Sequence, residues 1–375
     1  MANGRPIGVP QLVKADIGPF QHGLGFTKDG SYYYSVSAWA NDVYLAVLDP
    51  VSGKIGSPKK LVSHVGFDTS TEWSPNGQSL AYAWGSGWLY DPFVLGILDI
   101  ETGKQRRMPL GDFERQGAGR FEPHWSPDGG SFLASARGRT GISGLHRIEA
   151  RTGESDLITS AGVRWASAWA PDGRAIFSRR NAGAPGVMLV ARDLTTNRET
   201  ELYSTPEAFG ITALAVSPNN QRLAFAWVDN KRIATTIEVM PADGSARPTR
   251  VVTLAPPGSS PRTFTFAWTP DSRRLIYATH AAEHPILTTR SWASLPVGEN
   301  LRLIPRLAAV KHKLEVWEIS ADGGVPKYLG LALKDLVQFG LSVHPDGRRI
   351  AFTAGTIRRP EVWMLKGLLA KAPAK

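Results

Sequence analysis

At 375 residues with 42% apolar side chains, the chain has room for one large domain or two ordinary ones, and 38 Gly with 27 Pro call for many turns rather than long helices. The lack of cysteine excludes disulfides, thiolate zinc sites and a cysteine nucleophile. Forty-three Lys and Arg against 33 Asp and Glu leave a net charge of +10, which favours acidic partners in general and is silent on fold.

The first residues, Met-Ala-Asn-Gly-Arg-Pro, carry no apolar run of the signal-peptide kind, and no window approaches the roughly 18 apolar residues of a membrane span. A soluble, monomeric chain is expected. It would be cytoplasmic, or periplasmic or extracytoplasmic if it is part of a larger envelope protein.

A turn recurs along the chain. Phe26-Thr-Lys-Asp-Gly30, Trp73-Ser-Pro-Asn-Gly77, Trp125-Ser-Pro-Asp-Gly129 and Trp169-Ala-Pro-Asp-Gly173 come first. Val216-Ser-Pro-Asn-Asn220, Trp268-Thr-Pro-Asp-Ser272 and Val343-His-Pro-Asp-Gly347 follow, at spacings of 44–52 residues except for 75 before the last. Pro presets φ at the first corner, Asp or Asn bonds the nearby backbone, and the fifth position needs φ > 0. A β-rich run follows each turn, as in Ser131–Ala136 and Arg222–Ala226.

A third strand then ends at a second turn, as in Val43–Leu48 before Ser52-Gly53 and Phe93–Leu98 before Thr102-Gly103. A fourth closes the unit, as in Ser155–Thr159 and Arg250–Leu254. Four antiparallel strands repeated seven times predict an all-β, seven-bladed β-propeller that fills the whole chain as one domain. The blades are expected at about 18–64, 65–112, 118–160, 161–206, 207–256, 261–332 and 335–366, with 367–375 as a tail. The last blade lacks a fourth strand, and 10–16 (Gln11-Leu-Val-Lys-Ala15 at its centre) is expected to complete it and close the ring.

These turns resemble the TolB-type, WD40-like β-propeller repeat, whose mark is Trp-Ser-Pro-Asp-Gly after the innermost strand. The resemblance covers essentially the whole chain and implies scaffolding and binding more than any one chemistry. It departs from TolB itself, which is similar but six-bladed behind an extra N-terminal domain.

Sites are expected on the face opposite the repeated turns, where the loops vary. Paired cations there (Arg137 and Arg139, Arg179 and Arg180, Lys231 and Arg232, Arg358 and Arg359) suggest a positive rim for a carboxylate, phosphate or sulfate, against solvated strand ends. Aromatic residues Trp39, Trp84, Trp88, Tyr90 and Trp165 could stack a sugar or hold a peptide, or simply pack between blades. Glu122 is read as pointing to that face and His124 as a strand residue between blades.

An insertion between Thr279 and Lys313 is read as a lid or partner-binding loop. Its His280, Glu283 and His284 offer a metal or acid/base alternative, but not in His-Glu-x-x-His order, and Pro285 breaks a helix there.

No Gly-x-Ser-x-Gly elbow or phosphate-cradling Gly-rich loop is present. The leading expectation is a non-catalytic scaffold without cofactor that binds a protein partner or an anionic or carbohydrate ligand. The alternative is a propeller-type polyuronate lyase, in which His22, His280 or His284 would abstract a proton with a divalent metal nearby. Nucleic acid is not expected, because Arg273-Arg274 and Arg348-Arg349 sit in turns without interleaved aromatics.

Overall fold

The structure, a computed structural model, describes residues 20–27, 31–36, 39–49, 51–63, 67–85, 93–110, 113, 121–138, 141–160, 162–180, 183, 185–229, 234–254, 265–282, 312–334, 336–357 and 361–365. These form two compact units, one from residues 1–39 and 357–375 and one from residues 40–356.

In chain order the strands are β1 (Phe20–Phe26), β2 (Tyr32–Val36), β3 (Trp39–Val47) and β4 (Lys59–Ser63). Then come β5 (Phe67–Trp73), β6 (Ser79–Gly85), β7 (Phe93–Asp99) and β8 (Gln105–Leu110). Next are β9 (His124–Trp125), β10 (Ser131–Arg137), β11 (Ser143–Glu149) and β12 (Ser155–Thr159). They are followed by β13 (Val163–Trp169), β14 (Ala175–Arg180), β15 (Val187–Arg192) and β16 (Glu199–Thr205). The next four are β17 (Ala208–Val216), β18 (Arg222–Asp229), β19 (Thr235–Pro241) and β20 (Thr249–Leu254). After them run β21 (Phe266–Trp268), β22 (Arg274–Ala282), β23 (His312–Ser320) and β24 (Lys327–Lys334). The last are β25 (Leu336–Val343), β26 (Arg349–Ile357) and β27 (Glu361–Leu365). No described residue is helical.

Five sheets pair four consecutive strands each: β5–β8, β9–β12, β13–β16, β17–β20 and β21–β24. The expected first and seventh blades are not built this way. β3 and β4 join β25 and β26 in a sixth four-stranded sheet, while β1 and β2 pair with β27 in a three-stranded sheet. Leu48 donates its amide to the Arg348 carbonyl (2.7 Å), beside the start of β26. The correction has a physical cause. Every second strand presents the same alternating edge to its third strand, so the local pattern of β26 accepts β3 as readily as β27. Residues 10–16, the expected closing strand, lie outside the described residues.

The repeated turns form as the residues dictate. Ser126 Oγ bonds Asp128 Oδ1 (2.5 Å) and accepts the Ser131 amide (2.9 Å), and Asp128 Oδ1 accepts the Gly130 amide (2.9 Å). Ser217 with Asn219 and Thr269 with Asp271 repeat the arrangement at 2.7 and 2.5 Å. The fifth turn position has φ of +70° at Gly77 and Gly129, and near +60° at Asn220 and Ser272, where the repeat's glycine is missing. Residues 223–228 of β18 and 275–278 of β22 are buried at every position, so both sheet faces are covered there and the run is continuously apolar. Leu223 and Phe225 pack toward β13–β16, while Ala224 and Ala226 pack toward β21–β23. Six clusters of this kind each join two neighbouring four-stranded sheets. One of them sets Val43, Val62 and Ala351 against Trp73, Leu80 and Tyr82.

Candidate functional site

The first strands of the six four-stranded sheets (β5, β9, β13, β17, β21 and β25) contact one another in sequence, and β25 contacts β5. Gly340 allows that last approach: a Cβ there would stand 2.7 Å from the Thr71 amide nitrogen. Residues on or just beside these six strands line one cavity of about 270 Å³. The size decides what can enter, because it lies at the lower bound of ordinary small-molecule pockets and suits a single side-chain-sized group.

The chemistry of the lining departs from that of the chain. Among the described lining residues the ionisable side chains are Glu72, Glu122 and His124. Glu72 Oε2 accepts the Trp125 amide (2.9 Å) and stands 3.5 Å from His124 Nδ1. The side chains of His124 and Glu72 are 27% and 30% exposed. Burial alone would lower the His124 pKa, but the Glu72 charge and hydrogen bond, with the Glu122 charge, more than offset it, so the pKa is raised. Trp73, Trp125, Trp169 and Trp268 add indoles to the lining.

Sequence reasoning set this cluster aside, placing His124 between blades. A signal was nonetheless present. The residue before the repeated Trp or Val is Ala168, Ala215, Ala267 or Ser342 in four copies, but Glu72 and His124 in two. That position lines the cavity in all six.

The expected site residues that the structure describes are not among the described residues of this lining. Arg137 ends β10, half-buried, and Arg180 ends β14, exposed. Arg179 is engaged across its sheet: its Nη1 donates to Glu199 Oε2 (2.8 Å), which shares its other oxygen with Arg192 (2.8 Å). His22, Trp39, Trp84, Trp165 and His280 belong to β1, β3, β6, β13 and β22. Arg139, Lys231, Arg232, Arg358, Arg359, Trp88, Tyr90, Glu283 and His284 lie outside the described residues. The expected insertion begins later than read, because β22 and β23 pair as far as Ala282 with His312. Among the described residues no group of three His, Cys, Asp or Glu has an arrangement that could hold a metal. No described helix is long and apolar enough to cross a membrane.

No protein-family model matches the sequence, and no curated protein matches it. Solved structures do. A protein assigned as TolB from Agrobacterium tumefaciens aligns over 85% of this chain and 99% of its own, at 14% identity and a TM-score of 0.59. TolB from Acinetobacter baumannii aligns over 86% of this chain and 66% of its own, at 16% identity and 0.49. An oligogalacturonate lyase in complex with manganese aligns over 88% and 76%, at 15% identity and 0.44. At such identities the likeness is one of fold alone, and the Agrobacterium protein carries it. In fold this chain resembles a TolB-like β-propeller.

Proposed function

We propose that this chain is a non-catalytic β-propeller scaffold whose six four-stranded sheets act as blades around a central binding cavity. The supporting observation is that cavity, to which every one of those sheets contributes residues at its first strand. Strands buried on both faces make a rigid frame, and rigid frames hold binding groups in fixed geometry. A protein partner seated at the cavity mouth, with Arg137 and Arg180 at the strand ends offering a cationic rim, is the reading we favour. The polyuronate lyase reading draws no support from the cavity, because two carboxylates in the lining would repel a polyuronate.

A panel of peptides, glycans and small carboxylates, followed by melting shift and calorimetry, tests the proposal. Ligands should bind the full chain and lose affinity in the cavity-filling variant Ala267→Leu or in Arg180→Ala. Ligands that bind both variants as tightly as the parent would place recognition elsewhere and overturn it.

A further inference from the structure

A carboxyl is buried in the seam between two neighbouring sheets. Leu223, Phe225 and Trp227 of β18 and Met240 of β19 form one apolar cluster with Val187, Leu189 and Ala191 of β15 and Leu202 of β16. The Tyr203 ring lies 5.6 Å from that of Phe225 across the same seam. Glu238 stands opposite Phe225 in the β18–β19 register and two positions before Met240, which puts it on this face. It is only 8% exposed.

The surroundings leave its charge largely unanswered. Glu238 Oε2 has no hydrogen-bond partner among the described residues, and neither has the buried Trp227 Nε1 on the same face. Arg250 stands opposite Glu238 in the β19–β20 register, but it is exposed and acts on the carboxyl through its charge, without a hydrogen bond. A buried carboxylate without a paired cation is expensive, so such a group favours its neutral form. Burial accordingly raises the Glu238 pKa, the Glu207 charge adds to the rise, and the Trp227 indole and Arg250 oppose it only in part.

We propose that Glu238 is a proton-operated joint between the β13–β16 and β17–β20 sheets. With the carboxyl neutral, the two apolar faces close on each other. Once ionised, it draws Arg250 and water toward the seam, and the sheets part there more readily. The joint bears on the cavity, because β13 and β17, the first strands of these two sheets, are in contact and both line it. It needs no guest and stands apart from the binding reading above.

The titratable and charged groups facing Glu238 are Arg250 from β20, Glu207 from the turn between β16 and β17, and Tyr203 from β16. Lys231 and Arg232, in the connection between β18 and β19, lie outside the described residues. A carboxyl with a raised folded-state pKa gives stability that is complete below the unfolded value of about 4.3 and lost as pH rises through the folded value. The joint therefore tightens toward acid and loosens toward neutral and alkaline pH.

Urea midpoints of the full chain, Glu238→Gln, Arg250→Ala and the double variant, taken at about pH 4.5 and about pH 8, test the joint. The midpoint of Glu238→Gln relative to the parent should rise between the lower and the higher pH. Arg250→Ala should lower the midpoint more at the higher pH, and that difference should vanish when Glu238 is Gln. Hydrogen exchange gives a local readout that needs no variant. Protection factors of the amides in β16 and β18 should fall several-fold in the parent between the two pH values, and stay level in Glu238→Gln. Parallel midpoints of parent and Glu238→Gln, an Arg250→Ala effect equal at both pH values, or unchanged protection in the parent would each overturn the proposal. So would a loss of protection that persists in Glu238→Gln.

Discussion

The Trp125 amide donates to Glu72 Oε2 at 2.9 Å, and the Trp125 indole donates to the Glu72 main-chain carbonyl at 3.3 Å. Two residues 53 positions apart thus tie β9 to β5, and the residue that forms half the cavity's acidic pair also holds two sheets together. Glu72→Ala removes one of these bonds and should lower stability by about 1.5–2 kcal/mol, toward the low end for a charged acceptor because Glu72 is partly exposed. Glu72→Gln keeps an acceptor and should cost under about 1 kcal/mol. Urea unfolding of both variants checks the difference.

Gly173 stands at φ +88° with no atom within 4 Å of where a Cβ would be, so its substitution isolates backbone strain. Gly173→Ala should destabilise by about 1–2 kcal/mol. Gly56 lacks a positive φ, and its Cβ would meet only the Val47 carbonyl oxygen at an ordinary 3.6 Å. Gly56→Ala should be neutral or stabilising by up to about 1 kcal/mol. Shifts of the same sign in both melting curves would contradict this account of the turns.

Acid should unfold the protein through these same turns. The Ser126 hydroxyl and the Gly130 amide hold Asp128 below the usual carboxylate range. Asp99 is held down by the Thr102 hydroxyl and amide. In Asp346 burial opposes the shift, but the Arg348 amide and Arg349 guanidinium outweigh it. A depressed folded-state pKa gives stability that is complete above the unfolded value of about 3.9 and lost as pH falls through the folded value. The urea midpoint should therefore drop below about pH 4. Asp128→Asn, the residue already found at Asn76 and Asn219, should flatten part of that slope.

His124 has the opposite sign. Its raised folded-state pKa gives stability fully present below the unfolded value of about 6.5 and lost as pH rises through the folded value. Melting temperature without ligand should decline from about pH 6 upward relative to His124→Gln. Parallel profiles for the two proteins would remove the coupling to Glu72.

Arg179 was expected on a ligand rim, and its pairing with Glu199 predicts a structural contribution instead. Both side chains are about a quarter exposed, which limits the pair to about 0.5–1 kcal/mol of coupling in a double-mutant cycle with Glu199→Ala. Arg180, exposed one position on, should show no such coupling to Glu199.

Much of this architecture was legible in the sequence because it is local. The Ser-Pro-Asp-Gly turns, their positive φ and the strands beside them depend on residues within about five positions of one another, which a repeat displays openly. Even Asn220 and Ser272, where glycine is missing, keep the turn, since capping by Ser217 and Thr269 persists. Strand exchange between the ends of the chain was not legible. β3 rather than β27 pairs with β26, and Val43 of β3 and Val62 of β4 pack with Trp73 and Leu80 of the neighbouring sheet, a contact between residues far apart in sequence. The site was half legible, as Glu72 and His124 in a column otherwise filled by Ala and Ser. What made them a site was the tertiary fold, which sets Glu72 of β5, His124 of β9 and Glu122 just before β9 in the lining of one cavity. The turn that carries Trp125 could be read from its own five residues, but the charge it delivers to that cavity depends on a neighbouring sheet that only the tertiary fold brings near.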